Sequence, residues 1–383
     1  MIARAVLVPL GVGLTGLAVG LVQVALEPRR ALFAYAAGFA VALTIALGAL
    51  LFLMIAHTAR ARWFVVLQRL KGAIAATLPL LLLLFLPIAL GVRHLYAWAG
   101  PPGDLDAEQR AWVAHVHAWL NVPFFVVRSY VYLGTWSALA LILRRTSLAG
   151  DTRPSEGLVR RARFVSALGL PIMAFTLTFA SFDWIMSLNP RWASDMMGVY
   201  LFAGALTGAI GATSVAAWLA WRFKRLPAAV GPDHFHALGR VLFMTVIFWA
   251  YIAFCQFVLI WIADMARETT FYADRSQGAW GWAAAALVVI HFVVPFLLLV
   301  SRSLKRTPGR LALVGGWLLC AHALDLYWLV LPPLHAGMNP LDLAFLVGPA
   351  GVCAAFGAWL FLGALPVPTH DPALAESLRY ESP

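Results

Sequence analysis

The sequence predicts an all-α polytopic membrane protein with ten transmembrane helices. They form two four-helix bundles in parallel repeat, plus two peripheral helices. Three observations predict this class. The 383-residue chain is 62% hydrophobic and only 12% charged, about half the charged share of an ordinary soluble domain. Ten stretches reach the roughly 20 apolar residues that cross a bilayer. Basic residues also alternate from loop to loop, as the positive-inside rule requires. The apolar run from Leu80 to Leu86 excludes the short alternating strands of a membrane β-barrel.

The spans fall near 4–26, 31–56, 73–97, 119–143, 162–186, 196–222, 238–263, 280–302, 309–331 and 342–365. The first is read as a true span rather than a cleaved leader. Its apolar run is too long for a signal core, and the small-residue triplet Ala18, Val19, Gly20 lies inside the run instead of after it. Four loops are basic. They carry Arg60, Arg62, Arg69 and Lys71 after span 2, and Arg144, Arg145, Arg153, Arg160, Arg161 and Arg163 after span 4. Arg222, Lys224, Arg225 and Arg240 follow span 6, and Arg302, Lys305, Arg306 and Arg310 follow span 8. The loops after spans 3, 5, 7 and 9 are neutral or acidic, so both termini are expected in the cytoplasm. The turn at 27–30, with Arg29 and Arg30 against Glu27, is a mild exception. Loop charge of this kind accounts for the net +11 and the pI near 10.1 without calling on nucleic acid.

Spans 2–5 and 6–9 read as two copies of one unit. Tyr35, Gly38 and Gly48 open the first copy, and Tyr200, Gly204, Gly208 and Gly211 open the second. Each copy closes on an acid followed by Trp and Pro. Four crossings per copy give both the same orientation, a parallel repeat. The domains are thus 1–30 for the first helix, 31–190 for bundle 1, 191–335 for bundle 2, and 336–383 for the tenth helix with a short polar tail. The glycine stripes are read as packing surfaces, and Pro79, Pro87, Pro171, Pro295 and Pro349 as kinks. Cys255, Cys320 and Cys353 stand in separate spans with no Cys-x-x-Cys pairing. They are read as buried small hydrophobes and cannot supply the four thiolates of an iron–sulfur cluster. No nucleotide or metalloprotease motif is present, so no metal site is assigned and no cofactor is expected to be held by this chain alone.

Charged groups inside spans are costly to insert and mark function by default. At a rise of about 1.5 Å per residue, Arg128, Asp183, Gln256, Asp264, His322 and Asp325 fall in the outer halves of their spans, and His291 nearest the midplane. His322 and Asp325, three apart, share one helical face and form a candidate proton-transfer pair. Arg128 requires a counter-charge, for which Asp183 is the neighbour at hand, and that pair is read as structural before catalytic. His291, His322, Asp325, Asp183 and Arg128 are the proton-path candidates. Gln256, Trp249 and Tyr251 are candidates for a quinone-facing surface, set against ordinary packing. A bis-histidine haem on His291 and His322 is the lesser reading, since a second pair is missing.

Four motifs carry a family resemblance. They are Phe-Asp-Trp-Ile-Met-Ser-Leu-Asn-Pro-Arg-Trp at 182–192, and Phe-Trp-Ala-Tyr-Ile-Ala-Phe-Cys-Gln-Phe at 248–257, continuing to Ile260, Trp261, Glu268 and Thr269. His291, Phe292, Pro295 and Phe296, then Asp325, Leu326, Tyr327 and Trp328, complete the set. From about Tyr130 to Trp328 the chain resembles the F subunit of bacterial alternative complex III, a quinol:cytochrome c (or other acceptor) oxidoreductase. That subunit, called quinone-binding subunit 2, is related to membrane subunits of the polysulfide-reductase type. The resemblance implies ten spans in two four-helix bundles in the bacterial inner membrane. Its expected partners are a homologous polysulfide-reductase-type membrane subunit, a multihaem c-type cytochrome, an iron–sulfur subunit, other small membrane subunits and lipid. Haem c and iron–sulfur clusters would sit in those partners. This chain would offer a scaffold, a possible quinone or menaquinol surface, and a proton-conducting track. Cys255 stands where the family has a small hydroxyl residue, and the 264–268 stretch lacks a proline and an acid of the family pattern. The rival expectations are a stand-alone proton-coupled secondary transporter and a purely structural anchor.

Overall fold

The computed structural model describes residues 2–101, 107–152, 155–189 and 192–382, and for residues 2, 108 and 109 the backbone only. Pro190, Arg191, Arg153 and the two acids Asp104 and Asp106 of the span 3–4 loop lie outside the described residues. Among the described residues the protein is helical without a strand. Ten helices among those residues are long and apolar enough to cross a membrane. They are α1 (Ala3–Leu26), α2 (Pro28–Thr58), α3 (Arg62–Leu90), α4 (Val122–Ala149), α5 (Glu156–Leu188), α6 (Met197–Arg222), α7 (Pro232–Ala263), α8 (Gly278–Val300), α9 (Pro308–Leu334) and α10 (Asp342–Leu362). The protein is an integral, multi-pass membrane protein.

Packing closes two rings. In the first, α2 touches α3, α3 touches α4, α4 touches α5, and α5 returns to α2. The second runs α6, α7, α8, α9 and back to α6. The rings meet along their first members, α2 and α6, the most enclosed of the ten helices. Both helices are dense in Ala and Gly, so their backbones approach closely. At Gly48 a side chain would collide with the backbone of Ala205. α1 and α10 pair with each other and lie against α2, outside both rings.

The observed α3 begins near Arg62, about three helical turns before the span expected from apolarity alone. Two cations explain the difference. Arg69 is buried and donates to Asp151 at 2.7 Å and to the Ser147 carbonyl at 2.9 Å. Lys71 is buried with its ammonium 4.3 Å from the centre of the Phe52 ring. Bundle packing thus absorbs residues that hydropathy assigns to the loop. The prolines divide into two kinds. Pro79 and Pro87 start new helical segments within α3, and Pro295 follows a π-helical turn at Val288–Val293 in α8. Pro171 and Pro349 are carried inside continuous helices. The cysteine expectation needs correction. Cys353 is buried, but Cys255 is half-buried and Cys320 is exposed, because Cys320 falls on the outer face of α9.

The tail after α10 folds back over the basic ends of the helices. The Ser377 hydroxyl accepts from the Val66 amide and donates to the Trp63 carbonyl, while its own carbonyl lies 2.8 Å from His234 Nε2. Ser382 meets His236 Nδ1 at 2.7 Å. One short segment therefore ties the start of α3, in bundle 1, to the start of α7, in bundle 2.

Candidate functional site

Three buried carboxylates lie toward the charge-poor ends of the helices, and their partners set them apart. Asp183, near the end of α5, is fully enclosed. Arg128 from α4 grips it with two nitrogens, each at 2.7 Å. Trp119 Nε1 donates at 2.9 Å and the Tyr132 hydroxyl at 3.1 Å. The guanidinium also donates to the Trp119 carbonyl and lies 4.6 Å from the ring centres of Trp119 and Phe124. A bidentate ion pair whose remaining acceptor sites are filled is the form in which a buried charge pair is tolerated. The structure therefore brings Arg128 and Asp183 together, with no lone pair left facing an open path.

Asp342, the first residue of α10, was not singled out from the sequence. It accepts from Arg30 Nε at 3.0 Å and Nη2 at 2.7 Å, from the Tyr327 hydroxyl at 2.6 Å, and from Gln23. This network explains the turn at 27–30. Arg30 is not a loop cation in water but a buried one, neutralised by α10. The signal available was the pairing of a stray cation in one charge-poor turn with an acid opening another span.

Asp325 in α9 differs from both. It is 1% exposed, and no cation reaches it among the described residues. Its two oxygens accept from neutral donors, the Tyr200 hydroxyl at 2.5 Å and Trp249 Nε1 at 3.1 Å. His322 does not bond Asp325 directly. Its Nε2 lies 2.8 Å from Thr44 Oγ1 of α2, and that hydroxyl gives its own proton to the Ala40 carbonyl at 2.7 Å. With its proton on the Ala40 carbonyl, Thr44 accepts from Nε2, the tautomer in which Nδ1 keeps a bare lone pair. His291 stands in the π-helical turn of α8, with the Trp249 ring 3.7 Å away, centre to centre. Neither of its ring nitrogens has a hydrogen-bond partner, and neither has His322 Nδ1. One ligand-type atom from each of His291, His322 and Asp325 lies within 4.8 Å of the others, a spacing that a single bridging water spans. Sequence spacing puts His322 and Asp325 on one face and names His291 among the proton-path candidates, and the structure brings the three together while holding Arg128 and Asp183 apart as a pair of their own.

The glycine stripe of α6 has a role beyond helix approach. Gly204 and Gly208 flank the His322 imidazole, and a methyl group at Gly208 would sit 2.8 Å from its Cδ2. The missing side chains are the seat of the ring. Gly211 instead packs on Gly315, as a plain close contact.

The remaining candidates separate by face. Trp249 and Gln256, seven apart on α7, both point inward, and Gln256 Oε1 is buried without a partner. Tyr251 is 61% exposed. Two residues correspond to about 200° around a helix, so Tyr251 cannot share the inward face of Trp249 and lies outside the bundle interior. Asp264 is exposed at the end of α7, in a left-handed conformation with φ 47°. Sequence reasoning missed Thr44 and underrated Tyr200, since each acts across a helix boundary.

Among the described residues, the fold and this site define an integral membrane protein of ten candidate spans, with one buried, uncompensated carboxylate beside two histidines. No protein-family model matches the chain, and no curated protein sequence matches it.

Proposed function

We propose that this chain is a membrane subunit of a respiratory quinol:electron-acceptor oxidoreductase of the alternative complex III kind, and that its bundle 2 moves protons. The carrying observation is the contrast between the two corresponding acids. Asp183 is locked by a guanidinium, whereas Asp325 has only a phenol and an indole. An isolated carboxylate out of water is costly when ionised, so a group held by neutral donors is the one of the two that can take up and give back a proton. Histidine nitrogens without partners lie one water's reach away. Thr44 and His322 lie near the middle of their helices, and Asp325 and Tyr200 continue toward the charge-poor end. By the positive-inside rule that end faces outward, where oxidation of a quinol releases protons.

The motif resemblance supplies the rest of the reading. The partners would be a multihaem cytochrome, an iron–sulfur subunit and a homologous membrane subunit. Quinone would meet this chain near Gln256 and Trp249, with its oxidation centred on the homologous partner. The test is isolation of the tagged chain from its own membranes in mild detergent, with mass spectrometry and a reduced-minus-oxidised spectrum. Co-purifying haem c and iron–sulfur subunits are expected. A haem-free chain without partners would contradict the assignment and favour a stand-alone proton-coupled transporter.

A further inference from the structure

We propose that His291, His322 and Asp325 form a binding site for one divalent first-row transition ion of the Zn2+ type. Two imidazoles and one carboxylate are a donor set that zinc and its neighbours accept, with a remaining position open. All three side chains are enclosed, and their ligand-type atoms already gather within 4.8 Å. A tetrahedral ion with bonds of about 2.0–2.2 Å needs those atoms about 3.4 Å apart, so closure by an ångström or so suffices.

Four further features suit a ligand. The nitrogens that would bind are the ones left without hydrogen bonds, both in His291 and Nδ1 in His322, and orphaned buried polar atoms call for an occupant. Thr44 fixes the His322 tautomer that leaves Nδ1 bare, the service an outer hydrogen bond performs for a metal-bound histidine. An ionised carboxylate offers about four lone-pair sites, and Tyr200 and Trp249 use two of those on Asp325. His291 also stands in a π-helical turn, a distortion found frequently at functional sites. The inference rests on this geometry alone and holds whether or not the chain belongs to a quinol oxidoreductase.

The full chain, purified in detergent and stripped with a chelator, is titrated with Co2+, whose visible d–d absorption reports tetrahedral imidazole and carboxylate ligation. Zinc content is measured in parallel on protein from cells grown with added Zn2+. One ion per chain is expected in both measurements. It should be lost in His291→Gln and in His322→Gln, and kept in His335→Gln at an exposed histidine. Thr44→Val, which leaves all three ligands in place, should weaken binding about 10- to 100-fold and keeps the test informative if a ligand variant does not fold. Absence of the Co2+ bands together with zinc below one per chain overturns the proposal, as does equal binding by wild type and His291→Gln/His322→Gln. The cluster is then a water site only.

Discussion

Asp183 and Asp325 each stand seven residues before a proline, yet their surroundings demand opposite behaviour. Arg128→Ala strips Asp183 of its counter-charge and leaves a carboxylate with no cation in a sealed interior, a change worth about 3–5 kcal/mol in buried ion pairs. The expected outcome is a sharp loss of folded protein and of thermal stability in detergent, substantially relieved when Asp183→Asn is added. An Arg128→Ala protein as stable as wild type would show that the pair is not structural. The sequence made this pair legible because both charges stand in otherwise apolar spans. It could not make Tyr200 and Trp249 legible as the partners of Asp325, because neither lies on its helix. Arg30 and Asp342 escaped notice because each stands at a span end, where a wetted charge is the ordinary reading.

Helix α6 both packs against its neighbours and shapes the site. Gly211 lets α9 come close, and the glycines at 204 and 208 make room for a ring. Gly208→Ala should push His322 off Thr44, since the new methyl would sit 2.8 Å from Cδ2. Overpacking of this kind costs about 1–3 kcal/mol, so the variant should still fold. The expected signature is a changed His322 environment in histidine NMR shifts, with Gly316→Ala, whose methyl meets only Val215 at 3.9 Å, leaving those shifts alone. Unchanged shifts in Gly208→Ala would contradict the assigned seat. Periodicity showed which face of α6 packs. It could not show that the object packed there is an imidazole. The same limit applies to α7, where the apolar face was clear but Trp249 and Tyr251 were grouped although helical geometry sends them to opposite sides.

Across the whole molecule, hydropathy and loop charge were enough for ten helices, because lipid imposes length and polarity on every span. The shift of α3 marks where that argument stops. Arg69 and Lys71 are buried by bundle packing, which local composition does not record. The tail was legible only as polar, since its partners Trp63, Val66 and His234 belong to two different bundles. Ser377→Ala removes an acceptor and a donor from an enclosed junction, at a cost of about 1–3 kcal/mol. It should accelerate proteolytic release of the tail, and an unchanged cleavage rate would show that the tail does not clamp the bundles.

Asp325 is, among the described residues, the one buried carboxylate that no cation reaches. In the isolated, quinol-oxidising complex, protons released per electron should be measured for Asp325→Asn beside wild type, with subunit content and haem spectra as the check on assembly. The expected result is an intact complex with impaired turnover or lowered proton release. An intact complex with normal turnover and normal proton release would remove Asp325 from any proton path.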